Sequence, residues 1–255
     1  MKYFRTFTRK TDYHLSMTKT TAYAPQCVSL GPGDPNLLTL GALRILQEAD
    51  VIFCPATIRE SSVTSRARDI MLAVGIEESK LRLFHVPMSK DRSKAMVAYA
   101  EVAGEIFQAV QKGLQTAFVA EGDSCFYSSV HYISDILLEH HGLSATHTAG
   151  VPAFIACGSL AGIHIVKQDE PLSVYPSNVT PEQIEKDLSE HKTVVLMKVS
   201  QQQQTLQALL QNRPDLSWHY FENVGVSGKE YYTTDKSIIA EREVPYFSIL
   251  ILRNE

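Results

Sequence analysis

The sequence predicts an α/β protein whose first half forms a mostly parallel β-sheet with helices on both faces. Short apolar runs alternate four times with segments of helical period, and the connections between them are short. Three polar loops, at 31–34, 88–92 and 121–123, each follow one of these apolar runs. Because such sheets bind ligands at the carboxyl ends of their strands, we expect the functional site at that edge.

The composition is that of an ordinary globular protein. Of 255 residues, 44% are hydrophobic and 20% charged, which allows one large domain or two smaller ones. The net charge of −4 favours neither nucleic acid nor an anionic membrane, and no apolar run approaches the ~18 residues that span a bilayer. The four cysteines are widely spaced and the nine histidines show no ligand spacing, so we expect reduced thiols, no protein-bound metal and a cytoplasmic protein.

Residues 1–24 differ from the rest of the chain. They are polar, carry five Lys or Arg residues and show no sustained period, so we expect a disordered extension. An amphipathic transit peptide, and a true start at Met17 with residues 1–16 as a tail, both stay open.

The first predicted strand runs into the turn Gly31-Pro32-Gly33-Asp34-Pro35, which opens a helix over 36–48. Two glycines permit positive φ and close approach of a ligand, Asp34 can cap the helix, and proline suits its first position. The turn lacks the third glycine of the dinucleotide fingerprint and the Lys-Ser/Thr of a P-loop. A tight strand-to-helix connection would explain it equally well.

The remaining elements follow from periodicity and from Gly or Pro boundaries. In the first half, strands are expected at 26–30, 49–54, 81–86 and 116–120, and further helices at 63–74 and 96–110. In the second half, strands are expected at 143–148, 172–175, 194–199, 218–224 and 245–252, and helices at 127–140 and 153–160. A capping box at Thr180 and Gln183 begins another helix, and Ser200 is expected to cap one whose glutamine run is solvated. We place a domain boundary near 121–126.

Four motifs, in order along the chain, resemble the tetrapyrrole methylases, which use S-adenosylmethionine to methylate corrin and sirohaem precursors. They are Gly31-Pro32-Gly33-Asp34-Pro35, Gly122-Asp123-Ser124-Cys125-Phe126-Tyr127-Ser128, Gly150-Val151-Pro152-Ala153-Phe154 and Val195-Leu196-Met197-Lys198. The resemblance covers nearly the whole chain, from residue 26 to 253. Two positions depart from the family pattern: Ser124, where Pro is usual, should loosen its loop, and Pro152, where Ser or Thr is usual, removes a backbone donor and a hydroxyl.

Two further stretches resemble one subgroup, the precorrin-2 C(20)-methyltransferases. Val86-Pro87-Met88-Ser89-Lys90-Asp91-Arg92 is similar to its P-M-[ST]-x-D-R segment, and Val244-Pro245-Tyr246-Phe247-Ser248-Ile249 to its P-Y-F-S end. The resemblance implies methyl transfer to carbon 20 of precorrin-2 or its cobalt form in cobalamin biosynthesis. The alternatives are a precorrin-4 or uroporphyrinogen-III methylase, and a non-catalytic module that binds a nucleotide-like ligand.

The family implies two α/β domains, residues 25–122 with a mostly parallel sheet and 123–255 with a mixed sheet, a ligand cleft between them, and a homodimer. It also implies a pocket for S-adenosylmethionine, the methyl donor, formed by Glu121, Gly122, Asp123, Val151, Pro152, Ala153, Phe154, Met197, Pro245, Tyr246 and Phe247. Such a pocket needs backbone donors and acceptors, a polar or acidic group and apolar walls for the adenine.

A precorrin-2-type substrate is a polycarboxylate macrocycle, so its site should offer cations and backbone amides. The expected substrate residues are Gly31, Pro32, Gly33, Met88, Lys90 and Arg92. A second group of cations, Arg59, Arg66 and Arg68, is equally typical of a solvated charged face.

Methyl transfer to an electron-rich ring carbon is an in-line displacement from the sulfonium, so positioning can supply much of the rate. A proton must leave the ring afterwards, which calls for a general base. Asp34, His85 and Tyr127 are the candidates, although Asp34 could serve only as a helix cap and His85 only as a core histidine.

Overall fold

The computed structural model describes residues 24–59, 62–87 and 92–254, and of residues 58, 59 and 92 only the backbone. The expected N-terminal extension therefore lies almost wholly outside the described residues. The described chain forms two β-sheets, each covered by helices on both faces. This confirms the α/β class and both sheet types, mostly parallel and then mixed.

The first sheet has six strands in the order β3-β2-β5-β1-β6, with β4 also paired to β2. All pairs are parallel except β2 with β3. The strands are β1 (Gln26–Ser29), β2 (Val51–Arg59), β3 (Ser62–Thr64), β4 (Leu81–His85), β5 (Thr116–Ala120) and β6 (Thr146–Thr148).

Four helices cover this sheet: α1 (Leu40–Glu48), α2 (Arg66–Ala73), α3 (Arg92–Gln111) and α4 (His131–His141). Successive strand residues point to opposite faces of the sheet. Because the apolar residues of these strands occur at successive positions, both faces of the sheet are apolar. Val28 and Ile52 pack in a core with α1 and α2. Cys27 and Phe53 pack in a second core with α3 and α4.

The second sheet has the order β10-β9-β11-β8-β7, and only β7 and β8 are parallel. Its strands are β7 (Leu172–Tyr175), β8 (Thr193–Met197), β9 (Ser217–Glu222), β10 (Tyr231–Thr233) and β11 (Ser248–Arg253). Its helices are α5 (Ala153–Ala161), α6 (Pro181–Ser189), α7 (Gln203–Asn212) and α8 (Lys236–Glu241). Helix α5 packs on one face, and α6, α7 and α8 on the other. Neither β10 nor α8 was expected from the sequence.

The helix expected over 36–48 is wrong in its first third. A short 3₁₀ turn (Pro35–Leu37) is followed by two extended residues, and α1 begins after Thr39. Asp34 caps the 3₁₀ turn by accepting from the amide of Asn36, whereas the Thr39 side chain accepts from Ala42 and caps α1. Two caps so close together divide the segment, although its leucine period is continuous.

Two expected boundaries after the first helix are also wrong. The strand predicted to stop before Pro55 continues through it. Strand β5 pairs with β2 only as far as Phe53, so Pro55 has no β5 partner to which a backbone N–H would have to donate. Val63, expected to start a helix, lies in the hairpin strand β3. Helix α2 begins only after Ser65, whose hydroxyl accepts from the amide of Arg68.

Two helix starts in the second half differ as well. Tyr127 has a left-handed backbone (φ 48°), so α4 begins at His131 rather than 127. Ser200 is not a helix cap: the chain turns at Lys198 (φ 52°) into a 3₁₀ turn (Val199–Gln202) before α7. This turn buries Gln202, whose side-chain amide donates to the Met197 carbonyl at 2.9 Å, so the glutamine run is not wholly solvated.

Helix α4 and strand β6 lie after the expected boundary near 121–126, yet they belong with the first sheet. Strand β6 pairs with β1, and α4 packs against α3 in the same core. Apolar runs do not reveal pairing partners, so the sequence alone carried no sign of this. We propose that the two domains divide between Thr148 and Leu172, where the chain passes from one sheet to the other.

Candidate functional site

Three loops meet at the carboxyl ends of the parallel strands β1, β5 and β6. The amide of Leu30 donates to the Ala120 carbonyl at 2.8 Å. Beyond it, Gly31 and Gly122 exchange two backbone hydrogen bonds, of 3.1 and 2.6 Å, in an isolated antiparallel bridge. The pairing of β1 with β5 thus continues past the sheet into the two glycine motifs.

Asp123 links the second loop to the third. One carboxylate oxygen accepts from the amide of Cys125 at 2.8 Å and the other from the amide of Gly150 at 2.7 Å. The Ser29 hydroxyl donates to the Thr148 carbonyl at 2.5 Å and accepts from the amide of Ser124 at 2.8 Å. Both carboxylate oxygens of Asp123 therefore hold the loops together. The contact with a cofactor that was expected of Asp123 would come in addition to these two hydrogen bonds.

The Ser124 amide would be missing in a proline, so the first departure from the family pattern adds a hydrogen bond. The Ser124 hydroxyl also lies 3.3 Å from Nδ1 of His147. Ser124 is buried and bonded, and the loosening expected at this position does not occur.

Gly33 and Gly225 bring the opening turn against the second half of the chain. A Cβ on Gly225 (φ 84°) would lie 2.6 Å from the amide nitrogen of Asp34, and one on Gly33 (φ 149°) would lie 3.0 Å from the Gly225 carbonyl. The loop after β9 and the turn after β1 are therefore in backbone contact.

A cavity of about 480 Å³ lies beside this contact. Its lining is mixed in charge, with carboxylates from Asp34, Asp69 and Glu230 and a guanidinium from Arg66. The rest of the wall comes from Ile70 and from residues 33–36 and 225–228, so both halves of the chain contribute. Of the expected substrate residues, Gly33 lines this cavity.

The expected cofactor residues of the third loop lie at the start of α5. Val151, Pro152 and Ala153 are half-buried, whereas Phe154 is 5% exposed and packs against Phe126 in the core of the second sheet. Pro152 occupies the N-cap position of α5, and no side chain caps the helix there. The hydroxyl of the Ser or Thr that is usual at this position in the family is therefore missing.

The remaining cofactor candidates lie at the end of strand β8 and just before the neighbouring strand β11 of the second sheet. Met197 ends β8, is half-buried, and pairs with Ile249 of β11. Tyr246 and Phe247 precede β11 with their rings edge to face, 5.1 Å apart. Phe247 is 45% exposed, and Lys198 lies 5.8 Å from the Tyr246 ring.

Arg66 belongs to the group of cations for which the sequence left a substrate role and a solvated face open, and it lies at the centre of the candidate site. Its Nη2 donates to the Pro32 carbonyl at 3.0 Å, its Nε lies 3.5 Å from a Glu121 oxygen, and its guanidinium carbon lies 4.0 Å from the Phe247 ring centroid. Burial raises the pKa of Glu121, and the positive charge of Arg66 opposes that rise. Burial lowers the pKa of Arg66, and Glu121 opposes that shift. No spacing in the sequence indicated this role.

The three candidate bases are not brought together. Asp34 lines the cavity, and one of its oxygens accepts from the amide and the side chain of Asn36 at 2.8 and 2.9 Å. His85 is exposed at the end of β4, not a core histidine, with Nδ1 3.3 Å from the Ala56 carbonyl. The Tyr127 hydroxyl donates to the Val174 carbonyl of β7 at 3.1 Å. Among these three described residues, only Asp34 lines the cavity.

Several expected contributions lie elsewhere. Gly31 and Pro32 are buried in the turn. Met88 and Lys90 fall outside the described residues, as does the side chain of Arg92.

In the described part of the chain, no group of three or more His, Cys, Asp or Glu side chains is placed to hold a metal ion. No helix in that part is long and apolar enough to cross a membrane.

Comparisons with known proteins agree with one another on the family of this chain. The family model described as tetrapyrrole (corrin/porphyrin) methylases matches residues 26–237. The chain is 27% identical to the cobalt-precorrin-2 C(20)-methyltransferase of Salmonella typhimurium, over 89% of this chain and 95% of that protein. It is 30% identical to a probable cobalt-precorrin-2 C(20)-methyltransferase of Methanocaldococcus jannaschii, over 74% of this chain and 77% of that one.

Solved structures share the fold. A cobalt precorrin-4 methyltransferase superposes with a TM-score of 0.67 at 16% identity, covering 90% of this chain and 94% of that one. The uroporphyrin-III C-methyl transferase of Thermus thermophilus, complexed with S-adenyl homocysteine, superposes with a TM-score of 0.60 at 18% identity, covering 91% and 97%.

Proposed function

The chain belongs to the tetrapyrrole methylases, and from this premise we propose that it transfers the methyl group of S-adenosylmethionine to carbon 20 of precorrin-2 or its cobalt form, in cobalamin biosynthesis. The observation that carries the proposal is the joining of the Gly31, Gly122 and Gly150 motifs at one edge of the parallel sheet. That edge is where such sheets bind ligands.

The residues present fit the methyl donor. Glu121 offers a half-buried carboxylate for the polar end of the molecule, and the half-buried Met197 with the exposed Phe247 offers apolar surface for the adenine. Gly122, Val151 and Ala153 contribute backbone at close range. Phe154 supports the pocket from the core rather than lining it, and Asp123 holds the loops.

The donor supplies a methyl group already activated by its sulfonium. The chain's contribution is then to orient the acceptor carbon in line, exclude water and accept a proton from the ring. Asp34 is the proposed base, supported by its place on the cavity between the two halves of the chain. We also propose that the enzyme acts as a cytoplasmic homodimer, which light scattering of the purified protein would contradict by giving a monomer mass.

Turnover tests the proposed function directly. Purified protein is mixed with methyl-labelled S-adenosylmethionine and either precorrin-2 or its cobalt-loaded counterpart, and the product is identified by mass and by the position of the label. Label at carbon 20 is expected. Label at another carbon would indicate a different member of the family, and binding without transfer would contradict an enzyme.

Met197→Arg tests the cofactor site. A charged side chain at the end of β8 should weaken binding of S-adenosylhomocysteine by about 100-fold or more, because a cation would replace an apolar wall. Calorimetry measures the affinity. Leu172→Arg is the matched control, since it places the same charge on an exposed position of the same sheet and should bind like the wild type. Unchanged affinity in Met197→Arg would remove Met197 from the pocket.

A further inference from the structure

Arg66 contacts three segments that are far apart in the sequence. Its guanidinium donates to the carbonyl of Pro32 in the turn after β1, faces Glu121 at the end of β5, and stacks on Phe247 before β11. Two of these segments belong to the first half of the chain and one to the second. Each of them supplies residues to the proposed site.

Only an arginine suits all three contacts. A planar guanidinium can lie flat on an aromatic ring while its N–H groups donate from the edge, and an ammonium cannot. The Nε atom of Arg66 is fully buried and has no hydrogen-bond partner among the described residues, so its closest favourable contact is the Glu121 carboxylate at 3.5 Å. The ion pair therefore lies inside the site.

Glu121 depends on this partner. Burial raises the pKa of its carboxyl, Arg66 opposes that rise, and Asp69 of the same helix adds to it. On the neighbouring strand β2, the Cys54 thiol also faces Glu121, but burial raises its pKa to about 11, so it carries no charge near neutral pH. Among these groups, Arg66 is the cation that opposes the rise in the pKa of Glu121.

We propose that Arg66 is a positioning residue of the methyl-transfer site, which holds Glu121, the Pro32 carbonyl and the Phe247 ring in the arrangement that binds the methyl donor. This inference rests on the proposed function, since it assumes that Glu121 contacts the donor. Arg66 acts through Glu121 and Phe247 and needs no contact of its own with the reacting atoms.

Arg68 provides a matched control on the same helix. It lies two residues further on and pairs with Glu78, whose side chain is largely exposed, away from the cavity. Replacing Arg68 by Met removes the same charge, together with the ion pairs to Glu78 and to Asp69 of the cavity wall, but it leaves the three contacts of Arg66 in place. Any effect specific to Arg66 must therefore come from its place between the three segments.

The experiment measures S-adenosylhomocysteine binding by calorimetry from about pH 6 to about pH 8.5, which lies above the ordinary glutamate pKa of about 4.3. Arg66→Met should weaken binding by about 10- to 100-fold, as small misplacements in such sites do. The loss should be largest at the acid end, because the pKa of Glu121 rises further without its cation. Arg66→Lys should restore the pH profile but only part of the affinity, since lysine keeps the charge and loses the flat contact with Phe247. Arg68→Met should match the wild type.

The double variant Arg66→Met with Glu121→Gln separates positioning from general stabilisation. If Arg66 acts in part through Glu121, the loss of affinity in the double variant should be smaller than the sum of the two single losses. Additive losses would overturn the proposal, as would wild-type affinity and pH profile in Arg66→Met. Should Arg66→Met fail to fold, Arg66→Lys decides, and wild-type affinity in that variant overturns the proposal. Wild-type protein that binds no S-adenosylhomocysteine would instead contradict the proposed function, and this inference with it.

Discussion

Gly150 shows how closely the three loops of the site are packed. A Cβ at this position would lie 2.4 Å from the Cβ of Ser29 and 2.6 Å from the Gly122 carbonyl oxygen. Its amide also donates to Asp123, so the residue can neither carry a side chain nor move away. The glycine of the third motif is required by close approach between loops, and this contact also fixes the start of α5.

Gly150→Ala should therefore cost about 2–4 kcal/mol of the free energy of unfolding, or prevent folding, because backbone atoms rather than a flexible side chain would have to shift. Urea unfolding measures the change. Gly104→Ala is the control: a Cβ there meets nothing within 4 Å, and alanine inside helix α3 should stabilise by about 0.5–1 kcal/mol. A loss of less than about 1 kcal/mol in Gly150→Ala would mean that the three loops separate easily.

At the scale of elements, Asp187 joins a helix to two strands of the second sheet. It lies on α6, accepts from the Tyr175 hydroxyl of β7 at 2.5 Å, and pairs with Lys192, just before β8, at 2.8 Å. Burial alone would raise the pKa of Asp187, but the hydrogen bonds from Lys192 and Tyr175 outweigh it and hold the pKa below its ordinary value of 3.8. Burial, together with the hydrogen bond to Asp187, raises the pKa of Tyr175 to about 12, so its hydroxyl remains a donor.

Asp187→Asn should cost about 1–3 kcal/mol near neutral pH, since charge-assisted hydrogen bonds are lost from a buried position. Because the pKa of Asp187 is lower in the folded protein than in the unfolded chain, its ionised carboxylate stabilises the fold at pH values above the unfolded-state pKa. The wild type loses this stabilisation as the pH falls through the folded-state pKa. The difference between the two proteins should therefore shrink as the pH drops below 3.8. Urea unfolding across this pH range measures it. Asp135→Asn on the exposed face of α4 should change little at any pH, and a constant difference in Asp187→Asn would rule out the charge as its cause.

Across the whole molecule, the proposed site includes residues from both sheets. The turn after β1 contacts the loop after β9 at Gly33 and Gly225, and Arg66 reaches Phe247 before β11. The Tyr127 hydroxyl makes a further link to β7. A ligand that touches Glu121 and Phe247 together should bind only while both sheets are folded and in place.

S-adenosylhomocysteine should therefore stabilise the entire fold. At about 100 times its dissociation constant it should add about 2.7 kcal/mol, or roughly 5–10 °C in melting temperature for a chain of this size. Scanning calorimetry measures the shift. Adenosine monophosphate should give none, because the opening turn lacks the residues of a phosphate-binding loop. Equal stabilisation by both ligands would favour the nucleotide-like binding module instead.

The fold class and most of the helices and strands could be predicted from the amino-acid sequence. Strands β5 and β7 occupy the residues that their apolar runs predicted, and Thr180 and Gln183 form the expected capping box. Such signals are local, because side-chain period and capping depend on residues a few positions apart. The family was visible for the same reason, since its motifs are short and lie in order along the chain.

Contacts between residues that are far apart in the sequence became known only from the three-dimensional fold. It joined β6 to the first sheet, began α1 only after Thr39, and gave Asp123 two backbone partners. It also placed Arg66, for which the sequence left a substrate role and a solvated face open, between the turn after β1 and the end of β5. Pairing and packing between segments far apart leave no periodic trace in either segment. The short motifs therefore predicted the edge of the sheet at which we propose the site, whereas the contacts of Arg66 depend on packing between segments that are far apart in the sequence.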